Sequence, residues 1–204
     1  MSLPAPTKIV CVGRNFHEHA KELGNVVPER PLIFLKPISS LIADGEAIVL
    51  PPQSTRVEHE GEIAVIIGKR AKNVSAADSL EYVAGYAPLN DVTARDLQRI
   101  DDQWTRAKGF DTFCPIGVMT PADGIDPSTL QVICRVNGEE RQRGLASDMA
   151  FPVPVLIEYI TSVMTLEPGD IIATGTPSGI GPLTPGDQVE VEIPGVGKLS
   201  NPVR

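Results

Sequence analysis

The stretch EHEGEIAVIIGKR, residues 58–70, begins with carboxylates and continues as an apolar run. Side chains alternate across a strand, so Glu60 and Glu62 project from one face, and the run from Ile63 to Ile67 predicts a buried strand. Carboxylates this close repel each other, and each resists ionisation unless a cation compensates. A hard divalent cation is the simplest compensation, although a solvated strand end would also present paired glutamates to water. A third carboxylate converging on the pair would favour the cation.

Asp91 is the candidate for that third carboxylate. It ends the predicted strand GYAPLND, residues 85–91, and precedes a segment of helical character. The same position suits a helix N-cap, because an Asp side chain there accepts hydrogen bonds from the first turn. Asp96 is the alternative partner, but it falls inside the predicted helix, where a solvated charge is expected. The sequence is compatible with both interpretations of Asp91.

The composition excludes several classes of protein. The 204 residues are 42% hydrophobic and 22% charged, which is enough apolar sequence for a core. The formal net charge of −8 argues against nucleic acid as a partner, because phosphate binding needs a basic face. A few local Arg and Lys residues, or a metal, could still hold a small anionic substrate.

Cysteine usage and apolar runs predict the compartment. Cys11, Cys114 and Cys134 are odd in number, far apart and in no CxxC pair, so we expect neither a disulfide framework nor a zinc site. The N-terminus, MSLPAPTKIVCVGRN, holds an apolar run too short for a signal peptide. No apolar run approaches the length that crosses a bilayer. We therefore expect a cytoplasmic protein without a membrane partner.

Short strands dominate the predicted elements. Residues 45–51 (GEAIVLP) are predicted as a strand, and the Asn137-Gly138 pair predicts a hairpin turn. Residues 92–111 have helical character, and residues 152–170 form the best amphipathic helix, with Pro168-Gly169 as its end. Strands outnumber helices without βαβ alternation. We predict one α+β, β-rich domain of mixed sheet over residues 1–204, in which residues 1–45 are the candidate for a small N-terminal lobe.

Two short segments carry further candidate chemistry. In NFHEHAKELG (15–24), His19 and Glu22 are neighbours on a helix, and a carboxylate that accepts one imidazole N–H makes the other nitrogen a better base. A surface pair of little weight is the alternative. TGTPSGIGP (174–182) lacks the Gly-Lys-Ser/Thr of a P-loop. It could offer backbone N–H groups and the Thr176 hydroxyl to a small carboxylate, or it is a tight structural turn.

Seven segments, in this order along the chain, resemble the fumarylacetoacetate hydrolase superfamily. They are IVCVGRNFHEHAKELG, PLIFLKP, HEGEIAVIIGKR, GYAPLNDVTARDLQ, RAKGFDTFCPIG, VNGEERQRG and LEPGDIIATGTPSGIGPL. Each is a weak signal alone, but the ordered set is specific and covers nearly the whole chain. The chain is similar to the compact branch that includes acylpyruvases, oxaloacetate decarboxylases and 2-hydroxyhepta-2,4-diene-1,7-dioate isomerases.

The resemblance implies a β-rich mixed-sheet roll, a homodimer and a bound Mg²⁺ or Mn²⁺. By motif position it also assigns ten residues. The implied metal ligands are Glu60, Glu62 and Asp91, the catalytic residues are His19, Glu22 and Lys108, and the substrate-binding residues are Arg14, Arg95, Gln98 and Thr176. The His19–Glu22 pair falls on a segment that acts as a lid in relatives, whereas Glu58 falls where the family uses no ligand.

The implied activity is a Mg²⁺-dependent cleavage of a C–C bond in acylpyruvate-type 2,4-diketo acids through a metal-stabilised pyruvate enolate. Decarboxylation of oxaloacetate would use the same enolate. The alternative is a 2-hydroxyhepta-2,4-diene-1,7-dioate isomerase/decarboxylase of aromatic catabolism. A module that only binds a small acid is the non-enzymatic alternative. In each case the expected partner is a small 2-oxo acid or diacid.

Overall fold

The structure is a computed structural model, and it describes residues 3–204. Short strands make up most of its regular structure. They are β1 (Ile9–Gly13), β2 (Leu32–Lys36), β3 (Leu41–Ile42), β4 (Val57–His59), β5 (Gly61–Ile67), β6 (Val83–Asn90), β7 (Thr93–Ala94), β8 (Cys114–Pro115), β9 (Thr120–Pro121), β10 (Gln131–Val136), β11 (Glu139–Leu145), β12 (Ile171–Ala173), β13 (Gly181–Pro182), β14 (Gln188–Ile193) and β15 (Gly197–Pro202).

The helices are short by comparison. They are α1 (His17–Glu22), α2 (Arg95–Ile100), α3 (Thr105–Lys108) and α4 (Val153–Val163), with single 3₁₀ turns at Ile38–Ser40, Ser79–Tyr82, Pro127–Thr129 and Ala146–Asp148. None of the helices within residues 3–204 combines the length and apolar character needed to cross a bilayer.

The largest sheet has six strands in the order β2-β1-β12-β5-β6-β9. Within it β1 and β12 run parallel, and the other neighbours are antiparallel, so the sheet is mixed. Every residue of β5 is buried, as its unbroken apolar run predicted. The β-rich, mixed-sheet prediction is therefore confirmed.

A second, antiparallel sheet has the order β11-β10-β14-β15, and its strands β10 and β14 pack against β5 and β6. The main core lies between the two sheets and under α4, whose Leu156, Ile157 and Ile160 are fully buried. The strands approach closely at Gly61, where an added Cβ would lie 2.9 Å from Cβ of Cys134. Glycine at this position therefore allows β10 to cross the start of β5.

The hairpin prediction is confirmed, whereas both long helices are shorter than predicted. Asn137 and Gly138 have φ of 54° and 80°, as a two-residue hairpin turn requires. The segment 92–111 divides into α2 and α3 because the chain is extended at Asp101. The helix predicted over 152–170 ends at Val163, because Leu166 exchanges two backbone hydrogen bonds with Ala71 as an antiparallel bridge.

The strand predicted over residues 45–51 is wrong. The segment lies beside the C-terminal residues through an isolated parallel bridge between Ile48 and Val203, in which the Ile48 N–H donates to the Pro202 carbonyl and the Arg204 N–H donates to the Ile48 carbonyl. Ile48 is fully buried. Its neighbour Val49 is half exposed. The segment therefore follows the C-terminal residues without becoming a regular strand, and Ile48 is the side chain that anchors it in the core.

Candidate active site and metal centre

The pairing of β5 with β6 brings the three predicted metal ligands together. Gly61 lies opposite Asn90 in the register, and the Asp91 N–H donates to the Glu60 carbonyl at 2.8 Å. Glu60 and Glu62 therefore flank the strand start, and Asp91 follows the end of its neighbour. Ligand atoms of the three carboxylates all lie within 4.8 Å of one another, and the three residues are buried. The N-cap alternative for Asp91 is not observed, because Ala94 occupies the N-cap of α2.

Basic side chains surround two of these carboxylates. Lys108 Nζ lies 2.7 Å from Glu60 Oε2 and 2.6 Å from Asp91 Oδ2. Lys36 Nζ donates to Asp91 Oδ1 at 2.6 Å, and Arg95 donates to Glu60 Oε1. Glu62 accepts only from the Gly175 N–H, at 2.8 Å, and no basic side chain of residues 3–204 forms a salt bridge with it.

Because Glu60 has basic neighbours that Glu62 lacks, the pKa values of the two glutamates shift in opposite directions. Burial alone would raise the pKa of Glu60, but Lys108 and Arg95 outweigh it and hold that pKa well below its usual range. Burial raises the pKa of Glu62, and the neighbouring charges of Asp91 and Glu60 raise it further. Three clustered carboxylates, one of which has no salt-bridge partner among residues 3–204, fit the oxygen ligands of a hard divalent cation. Such a cation would lower the free energy of ionising Glu62.

His19 and Glu22 of α1 line the same cavity as the three carboxylates. His19 is buried, and its Nδ1 lies 3.3 Å from Glu22 Oε2, as the helical spacing predicted. The other Glu22 oxygen accepts from the Gly179 N–H at 3.0 Å. Glu22 thus connects α1 to the loop that follows Thr176, and its carboxylate orients the imidazole.

All ten predicted site residues line one cavity of 330 Å³. They are Arg14, His19, Glu22, Glu60, Glu62, Asp91, Arg95, Gln98, Lys108 and Thr176. Gln98 Oε1 accepts from the Arg95 guanidinium, so its amide N–H groups remain as donors. The Thr176 hydroxyl donates to the Gly61 carbonyl at 2.8 Å, so in this arrangement its proton is not offered to a substrate.

Aromatic side chains form one wall of this cavity. The rings of Phe34 and Trp104 meet edge to face with centroids 5.3 Å apart. Lys108 Nζ lies 5.3 Å from the Phe34 centroid, and the Arg14 guanidinium lies 5.8 Å from the Trp104 centroid. Arg14 has φ of 58°, an unusual backbone conformation for a residue with a side chain. The wall therefore runs from the carboxylate cluster to Arg14.

Sequence reasoning missed several residues of the site. Lys36 is buried against Asp91, and its signal was a lone lysine at the end of the apolar strand PLIFLKP. No sequence motif pointed to Trp104, the only tryptophan in the chain. The other carboxylates considered lie elsewhere: Glu58 pairs with Arg56 and Arg95, and Asp96 binds Ser54 and Thr55 outside the cavity.

Comparison with known sequences identifies the family. A family profile described as fumarylacetoacetate (FAA) hydrolase C-terminal matches residues 8–204. The chain belongs to the fumarylacetoacetate hydrolase family. It is 48% identical, over 95% of its length and 89% of the relative, to the mitochondrial oxaloacetate tautomerase of Arabidopsis thaliana. It is 46% identical, over 93% of its length and 89% of the relative, to the mitochondrial oxaloacetate decarboxylase of Dictyostelium discoideum.

Solved structures of the family support the same fold. Fumarylpyruvate hydrolase from Pseudomonas aeruginosa, in complex with Mn²⁺ and pyruvate, superposes with a TM-score of 0.93 at 31% identity, covering 100% of this chain and 91% of that one. The 5-carboxymethyl-2-hydroxymuconate delta-isomerase from Mycobacterium smegmatis superposes with a TM-score of 0.90 at 47% identity, covering 97% of this chain and 78% of that one. The relatives in the fumarylacetoacetate hydrolase family are thus enzymes of several reaction types.

Proposed function

We propose that this chain is an enzyme dependent on Mg²⁺ or Mn²⁺ that cleaves a C–C bond in acylpyruvate-type 2,4-diketo acids and also decarboxylates oxaloacetate. One observation carries the proposal: a single cavity is lined by the carboxylates Glu60, Glu62 and Asp91 and by the His19–Glu22 pair. The carboxylates can hold a divalent cation, and His19 together with Glu22 can activate water. These are the two functions that hydrolysis of such a C–C bond requires.

Glu60, Glu62 and Asp91 are the residues that would hold the cation, by the fit of their donor set described above. A divalent cation bound there supplies Lewis-acid stabilisation for negative charge developing on the oxygens of a 2-oxo acid. The Mn²⁺ and pyruvate in the Pseudomonas aeruginosa fumarylpyruvate hydrolase support this choice of cation and of substrate fragment.

His19 is the proposed base for hydrolysis. Glu22 lies beside Nδ1 and favours the tautomer with its proton there, in which Nε2 can take a proton from a water molecule. The resulting hydroxide adds to the distal carbonyl carbon of the acylpyruvate, and the bond between that carbon and the pyruvate half breaks. The bonding electron pair leaves with the pyruvate half, which then takes a proton. The products are a carboxylic acid and pyruvate.

Gln98 is the proposed donor to the oxygen that becomes negative during this addition. Its carbonyl oxygen is held by Arg95, so its N–H groups are available to the cavity. Lys108 lies deeper and neutralises Glu60 and Asp91, and we propose that it also stabilises the developing charge. These residues line the same cavity as His19 and would act on the same intermediate.

The remaining part of the cavity suits a small 2-oxo acid or diacid. Arg14 and Arg99 line it, and neither guanidinium forms a salt bridge with an acidic side chain of residues 3–204. A second carboxylate of the substrate could pair with either one. The three cysteines are free and buried, which supports the proposal that the enzyme works in the reducing cytoplasm.

A substitution of His19 separates hydrolysis from decarboxylation. Loss of CO₂ from oxaloacetate needs no water, so we expect His19→Ala to lower acylpyruvate cleavage at least 100-fold and oxaloacetate decarboxylation less than tenfold. Both rates are measured with Mg²⁺ on the same preparation, with the exposed neighbour His17→Ala as the control. An equal loss of both activities would contradict the role of His19 in activating water.

Isomerisation is the second candidate function. The 47% identity to the Mycobacterium smegmatis isomerase favours it, and a proton transfer on an unsaturated 2-hydroxy diacid of aromatic catabolism would use the same cavity. Assays of the wild-type enzyme with unsaturated seven-carbon diacids and with acylpyruvates decide between the two. Turnover of the diacids alone would select isomerisation, and turnover of acylpyruvates would select hydrolysis.

A further inference from the structure

Gln142 is a buried amide on a strand whose other residues mostly face solvent. In β11 only Gln142 and Gly144 are buried, and Gln142 is 1% exposed. It lines no part of the catalytic cavity. A buried amide is costly unless its hydrogen bonds are made, so its partners indicate what it does.

All four hydrogen-bonding positions of this amide are used. Oε1 accepts from the Gly61 N–H at 3.0 Å and lies 2.9 Å from His59 Nδ1. Nε2 donates to the Thr176 hydroxyl and to the Pro177 carbonyl, both at 2.7 Å. A backbone N–H can only donate and a carbonyl can only accept, so these partners fix which end of the amide is oxygen.

These contacts converge on the peptide groups between the two candidate metal ligands. The Gly61 N–H belongs to the peptide that follows Glu60, and the Gly61 carbonyl belongs to the peptide that precedes Glu62. Gln142 holds the first directly, and Thr176 holds the second by donating to that carbonyl at 2.8 Å. Gln142 in turn fixes the Thr176 hydroxyl. One amide therefore orients both peptides.

The opposite side of the same segment is held by a different residue. Asn90 Oδ1 accepts from the Glu60 N–H at 2.9 Å. Gly61 has no side chain to lock its backbone, so without these bonds the segment would be the most adaptable part of the strand start. The carboxylates of Glu60 and Glu62 can meet Asp91 only if the peptides between them are fixed.

We infer that Gln142 is a positioning residue that sets the directions of the Glu60 and Glu62 carboxylates toward a shared divalent cation, acting through Gly61 and Thr176. The inference rests on the metal site of the proposed function. Residues that orient the ligands of a metal typically change its affinity 10- to 100-fold when they are replaced. Gln142 should have this effect although it touches neither the cation nor the substrate.

Mn²⁺ binding to the purified chain of 204 residues, measured by calorimetry without substrate, tests the inference. Gln142→Met keeps a similar volume and removes all four hydrogen bonds, and we expect the dissociation constant for Mn²⁺ to rise at least tenfold. Gln131→Met is the matched control: Gln131 lies on β10 of the same hairpin, its amide accepts from Arg143, and it lies outside the cavity. The control should stay within twofold of the wild type.

A second variant covers the case in which Gln142→Met does not fold. Gln142→Glu retains an acceptor for the Gly61 N–H but cannot donate to both Thr176 and the Pro177 carbonyl, and we expect at least a threefold weaker affinity for Mn²⁺. Folded variants that bind Mn²⁺ within twofold of the wild type would overturn the positioning role. A wild-type chain that binds no Mn²⁺ would instead overturn the metal site itself, so the two failures are distinguishable.

Discussion

Glu62 differs from its two partner carboxylates because no basic side chain of residues 3–204 forms a salt bridge with it. Among the residues that the structure describes, its one hydrogen-bond donor is the Gly175 N–H, whereas Lys108 bridges Glu60 and Asp91.

The alternation of side chains along a strand predicted that Glu60 and Glu62 share a face, and the i,i+3 spacing predicted the contact of His19 with Glu22. Lys36 could not be placed beside Asp91 in this way, because 55 residues separate them and only the tertiary fold brings them together.

Replacing Glu62 by Gln separates the stability of the metal-free protein from its response to metal. The change removes one of three mutually repelling carboxylates, so the melting temperature without metal should be unchanged or higher. The wild type should melt about 5 °C higher with Mg²⁺ at roughly 100 times its dissociation constant, and the variant should not respond.

Differential scanning calorimetry with and without Mg²⁺ measures both quantities. Glu192→Gln serves as the control, because this glutamate pairs with Arg135 on the second sheet, outside the cavity. A Glu62→Gln protein that retained the full Mg²⁺-dependent rise would exclude Glu62 as a ligand.

At the scale of elements, the sequence predicted strands better than helix ends. The register that places Asp91 beside Glu60 follows from β5 pairing with β6, and strands were predicted from the sequence at both places. The end of α4 was not visible, because Leu166 leaves the helical pattern to pair with Ala71, which is 95 residues earlier in the chain. The periodicity of apolar residues predicts which face of a helix or strand is buried. Backbone pairing with distant segments determines where the helix or strand ends.

The start of α2 is held by Asp96, which connects it to the loop before β4. Asp96 accepts hydrogen bonds from the Ser54 and Thr55 hydroxyls and from the Thr55 and Leu97 N–H groups. Burial opposes ionisation, but these bonds outweigh it and lower the pKa of Asp96 from 3.8 to about 2. Because the folded pKa lies below the ordinary value, the stabilisation is complete above about pH 5 and is lost as the pH falls toward 2.

Asp96→Asn should therefore destabilise the protein more at pH 6 than at pH 3, where about half of the effect should remain. Urea unfolding of wild type and variant at the two pH values gives the difference in free energy of unfolding. Asp102→Asn, a change at an exposed aspartate just beyond α2, is the control and should have little effect. A destabilisation by Asp96→Asn that did not shrink between pH 6 and pH 3 would mean that Asp96 acts as a neutral side chain.

For the whole molecule, the resemblance led us to expect a homodimer, and one edge of the six-stranded sheet suits such a contact. Within residues 3–204, β2 pairs with β1 on one side only. Leu32 and Leu35 on β2, and Ile38 in the turn that follows, remain exposed. An edge strand with unpaired backbone groups and exposed apolar side chains is a common site of association.

We predict that the chain of 21.8 kDa sediments with about twice that mass at micromolar concentration. Leu35→Lys should shift the equilibrium toward the monomer, because a charged side chain on an edge strand opposes pairing and burial. Leu80→Lys is the matched control, since Leu80 is similarly exposed but lies in the 3₁₀ turn Ser79–Tyr82, away from β2. Analytical ultracentrifugation over a dilution series measures both. A wild type that stays monomeric would refute the dimer, and a dimer unaffected by Leu35→Lys would place its interface elsewhere than β2.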